Sequence, residues 1–274
     1  MSDPNPAPTR KRPRVLVVAN QKGGVGKTTT AINLGTALAA VGAATLVLDI
    51  DPQGNASTGL GIPRSERKLT IYDVLTGAAK IGDAVMPTKI PRLSLVPSTV
   101  DLSGAELELI DLPRRNFRLK DALDDYSVHG SCEFSYVLID CPPSLTLLTV
   151  NAMAAADAVV VPLQCEFFAL EGLSQLLKTI ELVRANLNPS LEIQGIILTM
   201  FDKRNRLSDQ VAADVRANMG DKVYNTIIPR NVRISEAPSH GLPALVYDLR
   251  CPGSQAYIKL AGELIQRERA RIAA

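Results

Sequence analysis

The chain has 274 residues, 46% of them hydrophobic, enough for one large α/β domain without requiring a second. Its net charge of +2 excludes a global field for nucleic acid, so any such contact must come from a local patch. Cys132, Cys141, Cys165 and Cys251 are far apart, form no C-x-x-C pair and are accompanied by two histidines, which argues against a zinc site and for free thiols in a reducing cytosol.

Residues 1–13 are rich in proline, end in Arg10, Lys11 and Arg12, and lack the apolar core of a secretory signal. They read as a disordered tail, the alternative being an auxiliary contact with phosphates or acidic lipid. No apolar run approaches the roughly 20 residues that span a bilayer. Short runs rich in Val, Ile and Leu follow at 15–19, 45–50, 93–96, 136–139, 158–162, 193–200 and 223–228. Each is apolar on both faces, the pattern of buried parallel strands. Helical spacing lies between them. Ile32, Leu34, Leu38 and Val41 define one helix that Gly42 is placed to end, and Leu173, Leu176, Leu177, Ile180 and Val183 mark a longer one. The alternation predicts a single α/β domain over 14–267, a mostly parallel twisted sheet flanked by helices on both faces, with a short C-terminal tail at 268–274.

The first strand runs into Gln21-Lys22-Gly23-Gly24-Val25-Gly26-Lys27-Thr28-Thr29. Gly26-Lys27-Thr28 is the end of a phosphate-binding loop, G-x-x-x-x-G-K-[ST], and a strand before it and a helix after it are the context that motif requires. Gly23, Gly24 and Gly26 let backbone amides approach phosphate oxygens, and the helix opening near Lys27 points its positive end at them. The segment from Gly23 through Val25 to Thr29 is therefore the predicted nucleotide-binding loop, with Lys27 as its phosphate cation and the Thr28 hydroxyl as a magnesium ligand. The usual first glycine is replaced by Gln21, and a second lysine, Lys22, follows. One lysine already suffices inside the loop, so Lys22 needs another task.

Two acidic strand ends complete the set. Asp140 ends the 136–139 run, at the carboxyl edge where α/β ligands bind, and is assigned to magnesium directly or through water. Asp49 and Asp51 share one side of the second strand's end. Asp51 is assigned to the attacking water and the magnesium site, whereas Asp49 is left open between catalysis and a carboxylate held by loop amides. Met200 and Phe201 at a strand end, with Asp202 and Pro229, are candidates for an adenine pocket.

Lys22–Thr29, Asp49-Ile50-Asp51-Pro52-Gln53-Gly54-Asn55, Leu138-Ile139-Asp140-Cys141-Pro142-Pro143-Ser144 and the run from Ile228-Pro229-Arg230-Asn231 to Ser239 together resemble the ParA/Soj family of chromosome-partitioning ATPases. That family belongs to the deviant Walker A group, alongside MinD and the nitrogenase iron protein, and the likeness covers about residues 14–267. The resemblance implies binding of ATP with Mg2+ and a nucleotide-sandwich homodimer. In it Lys22 reaches the partner copy's phosphates, in the manner of an arginine finger supplied in trans. It implies Asp51 as the residue needed for hydrolysis and Asp140 as the Walker B position. It further implies that the ATP dimer, and not the monomer, binds double-stranded DNA non-specifically, that a ParB-type centromere-binding protein stimulates hydrolysis, and that the protein is cytoplasmic and nucleoid-associated.

The family's DNA-binding arginines match Arg204 and Arg233. On charge alone residues 200–233 are ambiguous, since Lys203, Arg204, Arg206, Arg216, Lys222, Arg230 and Arg233 are diluted by Asp202, Asp209, Asp214 and Asp221. Few aromatics accompany them, so contact would be phosphate-directed and blind to sequence. The alternative within the group is a MinD-like ATPase that cycles on membranes. It needs an amphipathic C-terminal helix, but the last seven residues offer Ile272 as their bulky apolar group, so no stable membrane association is expected. A pure scaffold is disfavoured by Asp51, and an amide ligase by the lack of a second catalytic constellation.

Overall fold

The computed structural model describes residues 12–129 and 133–273. Seven strands, β1 (Arg14–Val18), β2 (Thr45–Asp49), β3 (Met86–Pro87), β4 (Leu93–Val96), β5 (Tyr136–Asp140), β6 (Ala158–Gln164) and β7 (Glu192–Thr199), form one sheet in the order β3-β4-β2-β5-β1-β6-β7. All pairings are parallel except β3 with β4. The strands read as unbroken apolar runs because the sheet is covered twice. Val15 and Val17 enter one core while Leu16 and Val18 enter the other, and β2 and β5 divide in the same way, Leu46, Leu48, Val137 and Ile139 against Val47 and Leu138. Helix α1 (Lys27–Ala40) and the last helix, Pro252–Ala273, cover one face. The other face is covered by helices that include Arg118–His129, Leu147–Ala155 and Ala169–Asn186.

Pro162 sits inside β6, where a proline would ordinarily break a ladder. It is tolerated because its carbonyl, and with it the missing N–H, faces the side on which β1 has already ended. There the carbonyl accepts a 2.8 Å hydrogen bond from Asn20 Nδ2. The register fixes the functional edge. Asp140 lies opposite Val18 of β1 and Asp49 of β2, so the ends of three strands converge.

The structure corrects three sequence expectations. Residues 223–228 are not a strand. They touch β7 through Tyr224 N–H to Ile196 O and Ile228 N–H to Leu198 O, both 2.9 Å, but between these the amides of Asn225 and Thr226 turn away to Glu263, at 2.8 and 3.0 Å. The Glu263 carboxylate thus competes successfully with the sheet edge. The short antiparallel β3 is an addition, because two residues ending in proline carry no periodicity. Finally, residues 268–273 are not a separate tail. The last helix runs through them, and buried Glu268 accepts a 3.2 Å hydrogen bond from Arg14 Nε. The basic segment expected at 1–13 lies outside the described residues apart from Arg12 and Pro13.

Candidate nucleotide site and basic rim

The loop between β1 and α1 is anchored before it turns. Asn20, buried and not singled out by its sequence context, donates to Pro162 O and accepts the Lys22 N–H at 3.0 Å. Its one signal in the sequence is its position two residues past the end of a buried strand. Thr199 Oγ1 ties the Val25 carbonyl to the end of β7 at 2.9 Å. Gly24 and Gly26 hold φ of 75° and 90°, left-handed backbone that a side chain would strain. Gly26 is also the residue before the first turn of α1, which has no side-chain cap, so its leading amides are free for an anion.

The two lysines part company here. Lys27 is buried, and its Nζ donates to the Lys22 carbonyl at 3.0 Å, closing the loop around the space a phosphate would take. Burial lowers its pKa, against the opposing pull of Asp140, Cys141 and Asp51. Lys22 instead extends to Glu166, just past the end of β6, and forms an ion pair with it. Its side chain is 41% exposed, and its ammonium pairs outside its own loop.

The three carboxylates also differ. Asp49 is fully buried and accepts from Ser57 N–H at 2.8 Å, Ser57 Oγ at 2.7 Å and Asp51 N–H at 3.3 Å. Ser57 Oγ in turn accepts from the Ser98 amide at 3.0 Å. Burial pushes Asp49 up to about 6, and these hydrogen bonds oppose it. Of the two roles open for Asp49, this geometry fits the bracing one, which holds α2 (Asn55–Gly59) against the strand end. Asp51 accepts from the Gln53 amide at 2.9 Å, and its charge reaches Lys27 of the loop. Asp140 is fully buried with neither oxygen in a hydrogen bond of regular geometry among the described residues, although the Thr28 hydroxyl stands close enough to favour its charged form. Burial, then the neighbouring Asp49, raises its pKa well above the ordinary carboxylate range. Burial likewise pushes the Cys141 thiol up.

An unpartnered buried carboxylate beside a threonine hydroxyl and an ammonium suits a cation and an anion bound together. No group of three or more His, Cys, Asp or Glu side chains among the described residues could hold a metal alone. Magnesium uses one or two carboxylates and takes its remaining ligands from phosphate and water. Beyond the loop opens a cavity of about 420 Å³ whose wall includes Gly26, Thr29, Met200, Pro229, Ile234 and Tyr257. Both Met200 and Pro229 thus line one pocket of ligand size. Phe201 and Asp202 are not among its lining residues, and Asp202 pairs instead with Arg204.

Arg204 and Arg233 are carried on two neighbouring segments, which together form the basic rim. The Phe201 amide donates to Ile228 O and the Arg230 amide to Phe201 O, which joins the two segments that carry them. Arg204 is 88% exposed and makes a two-pronged pair with Asp202, at 3.0 and 2.8 Å, that holds the carboxyl down to about 2. Arg233 is 54% exposed and pairs with Glu236 at 3.0 Å and Asp248 at 3.7 Å. Arg216, by contrast, is spent on the carbonyls of Tyr224 and Asn225.

A mostly parallel sheet with a glycine-lysine-threonine loop at its switch point and acidic ends on the adjacent strands defines a P-loop nucleotide-binding protein. Comparison with known proteins narrows the class. The AAA domain family matches residues 13–193. The chain is 66% identical to the chromosome partitioning protein ParA of Caulobacter vibrioides over 258 residues, 94% of this chain and 96% of that protein. It is 50% identical to the sporulation initiation inhibitor protein Soj of Bacillus subtilis, covering 92% and 98%. Among solved structures, cobyrinic acid a,c-diamide synthase from Mycobacterium smegmatis with a bound ATP analog and magnesium superposes with a TM-score of 0.81 at 36% identity, covering 94% and 96%. The chain belongs to the ParA/Soj family of chromosome-partitioning ATPases.

Proposed function

We propose that this chain binds ATP with Mg2+, closes into a homodimer over the nucleotide, and in that state holds double-stranded DNA without regard to sequence. A ParB-type partner then stimulates hydrolysis, so that the cycle moves a chromosome or plasmid. The observation that carries this reading is the divergence of the two lysines, one enclosed by the loop and the other turned outward. An outward lysine at a phosphate site is the chemistry of a group delivered to another copy.

The geometry supports a division of roles. Lys27 and the amides from Gly23 to Thr29 hold the β and γ phosphates, and the pocket of Met200 and Pro229 takes the base. Thr28 and Asp140 would hold magnesium, with Asp51 as a further candidate ligand. When bound, the ion would supply positive charge to offset that on the phosphoryl group. Asp51 orients the attacking water and accepts its proton, since positioning and charge neutralisation carry most of phosphoryl-transfer catalysis. Lys22 adds positive charge across the interface. The setting would be cytoplasmic and on the nucleoid. No helix among the described residues is long and apolar enough to cross a membrane. Leu260 and Leu264 of the last helix are buried in the same core as α1, and Ile272 near its end is exposed, too little apolar surface to favour the membrane-cycling alternative.

The test is DNA retention with ATP, ADP and no nucleotide across a salt series, for the wild type and Lys22→Gln. Retention specific to ATP and steeply salt-dependent is expected for the wild type, and loss of retention with ATP binding preserved for the variant. Equal retention in all three nucleotide states would remove the dimer clamp from the account.

A further inference from the structure

Phe167 and Phe168 are 74% and 63% exposed, and their rings meet edge to face at 5.1 Å. They follow Glu166 directly, at the junction between β6 and the helix Ala169–Asn186. Each ring can bury about 150–250 Å² of surface, so two adjoining rings left in water mark a contact surface.

Their surroundings identify what covers them. Glu166, the residue before them, holds Lys22. Gln21 Nε2 donates to Thr179 of the following helix at 3.2 Å, and Gln21, exposed Leu145 and Leu176 line one narrow crevice. The phosphate loop therefore meets the loop after β5 and the middle of this helix at the crevice, and through Lys22 it meets Glu166, the residue before the phenylalanines. The charges there are self-complementary. Lys22 and Glu166 stand side by side, so a two-fold axis would set each lysine toward the other copy's carboxylate and phosphates while the aromatic pairs meet across the axis. Both members of the present pair are half-exposed, at 41% and 45%, so exchanging it costs little.

We infer that Phe167 and Phe168 form the apolar centre of the surface on which a second copy of this chain docks when ATP is bound. This rests on the dimer reading proposed above and names the side chains that carry it. Aromatic anchors beside charges that docking would desolvate are where interface energy concentrates.

Two experiments with the full chain test it, using a non-hydrolysable ATP analogue with Mg2+. In the first, the dimer dissociation constant of Phe167→Ser/Phe168→Ser is measured by sedimentation, alongside fluorescent-nucleotide binding to the monomer. The expected result is unchanged nucleotide affinity and a dimer weakened about 30-fold or more. In the second, Phe167→Cys in a Cys132→Ser background is treated with a short bismaleimide, the other three cysteines being buried. Cross-linked dimer is expected with the analogue and not with ADP. If the wild type dimerises while the double variant dimerises equally well, or Phe167→Cys fails to cross-link, the surface is wrong and the dimer reading stands. A wild type that stays monomeric with the analogue overturns both.

Discussion

At the carboxyl ends of β1, β2 and β5 the charged groups are buried and held. Lys27 is closed into its loop, Asp49 takes three hydrogen bonds, and Asp140 is shut away with neither oxygen regularly bonded. On the rim of Arg204 and Arg233 the charged groups are exposed, and each arginine is matched by acids of its own neighbourhood. The first region is built before its ligand arrives, and the desolvation of its charges is what makes phosphate and a cation welcome. In the second, Arg204 and Arg233 are screened by Asp202, Glu236 and Asp248, so on the proposed reading a single copy would have little hold on DNA. Doubling the rim in the proposed dimer would raise affinity without any new basic residue, since each neutralised phosphate adds about 0.9 to the logarithmic salt slope.

That contrast can be broken from the buried side with the largest effects. Lys27→Ala should weaken ATP binding by about 100-fold or more in a fluorescent-nucleotide titration, because no exposed cation can replace a desolvated one. Asp51→Ala should lower steady-state hydrolysis by about 100-fold, the scale of a lost general base, while the ATP-bound dimer persists. Unchanged turnover would take Asp51 out of the mechanism. Asp49→Ala should differ in kind. It leaves the Ser57 and Asp51 amides without their acceptor and should cost about 2–3 kcal/mol in urea denaturation without nucleotide. If Asp49→Ala were as stable as the wild type, its bracing role would be wrong.

The exposed side should yield smaller changes. Arg233→Glu should reduce the salt slope of DNA retention by about 2, one phosphate from each copy, with dimerisation intact. A loss of dimerisation in that variant would move Arg233 from the DNA surface to the interface. The smallest effect belongs to Asp202→Asn. Freeing Arg204 from its two-pronged partner should strengthen DNA retention about two- to fivefold, the range of an exposed ion pair. No change would mean that Arg204 already leaves Asp202 when DNA arrives.

Legibility in the sequence varies by element. The phosphate loop, the six longer parallel strands and the α1 helix are readable because local spacing and burial on both faces leave one pattern. The run at 223–228 misleads because its composition is that of a strand. The carboxylate that captures its amides lies 37 and 38 residues further on, at Glu263, where no local pattern reports it. Spacing alone favours Asp51 for the reaction but leaves Asp49 between two roles, and the neighbour brought by folding, Ser57, is what points Asp49 to bracing.

The sequence by itself determined the fold class, the loop that meets phosphate, the presence of a surplus lysine and the acids that end the second and fifth strands, because these are set by spacing along the chain. The tertiary structure alone decided where those charges stand relative to one another. It set Asp140 beside Asp49 through strand register, put Lys22 on Glu166, bared two phenylalanines next to that pair, and matched each rim arginine with an acid. Direction and burial are consequences of packing between distant segments, and they are what turn a list of charged residues into a site.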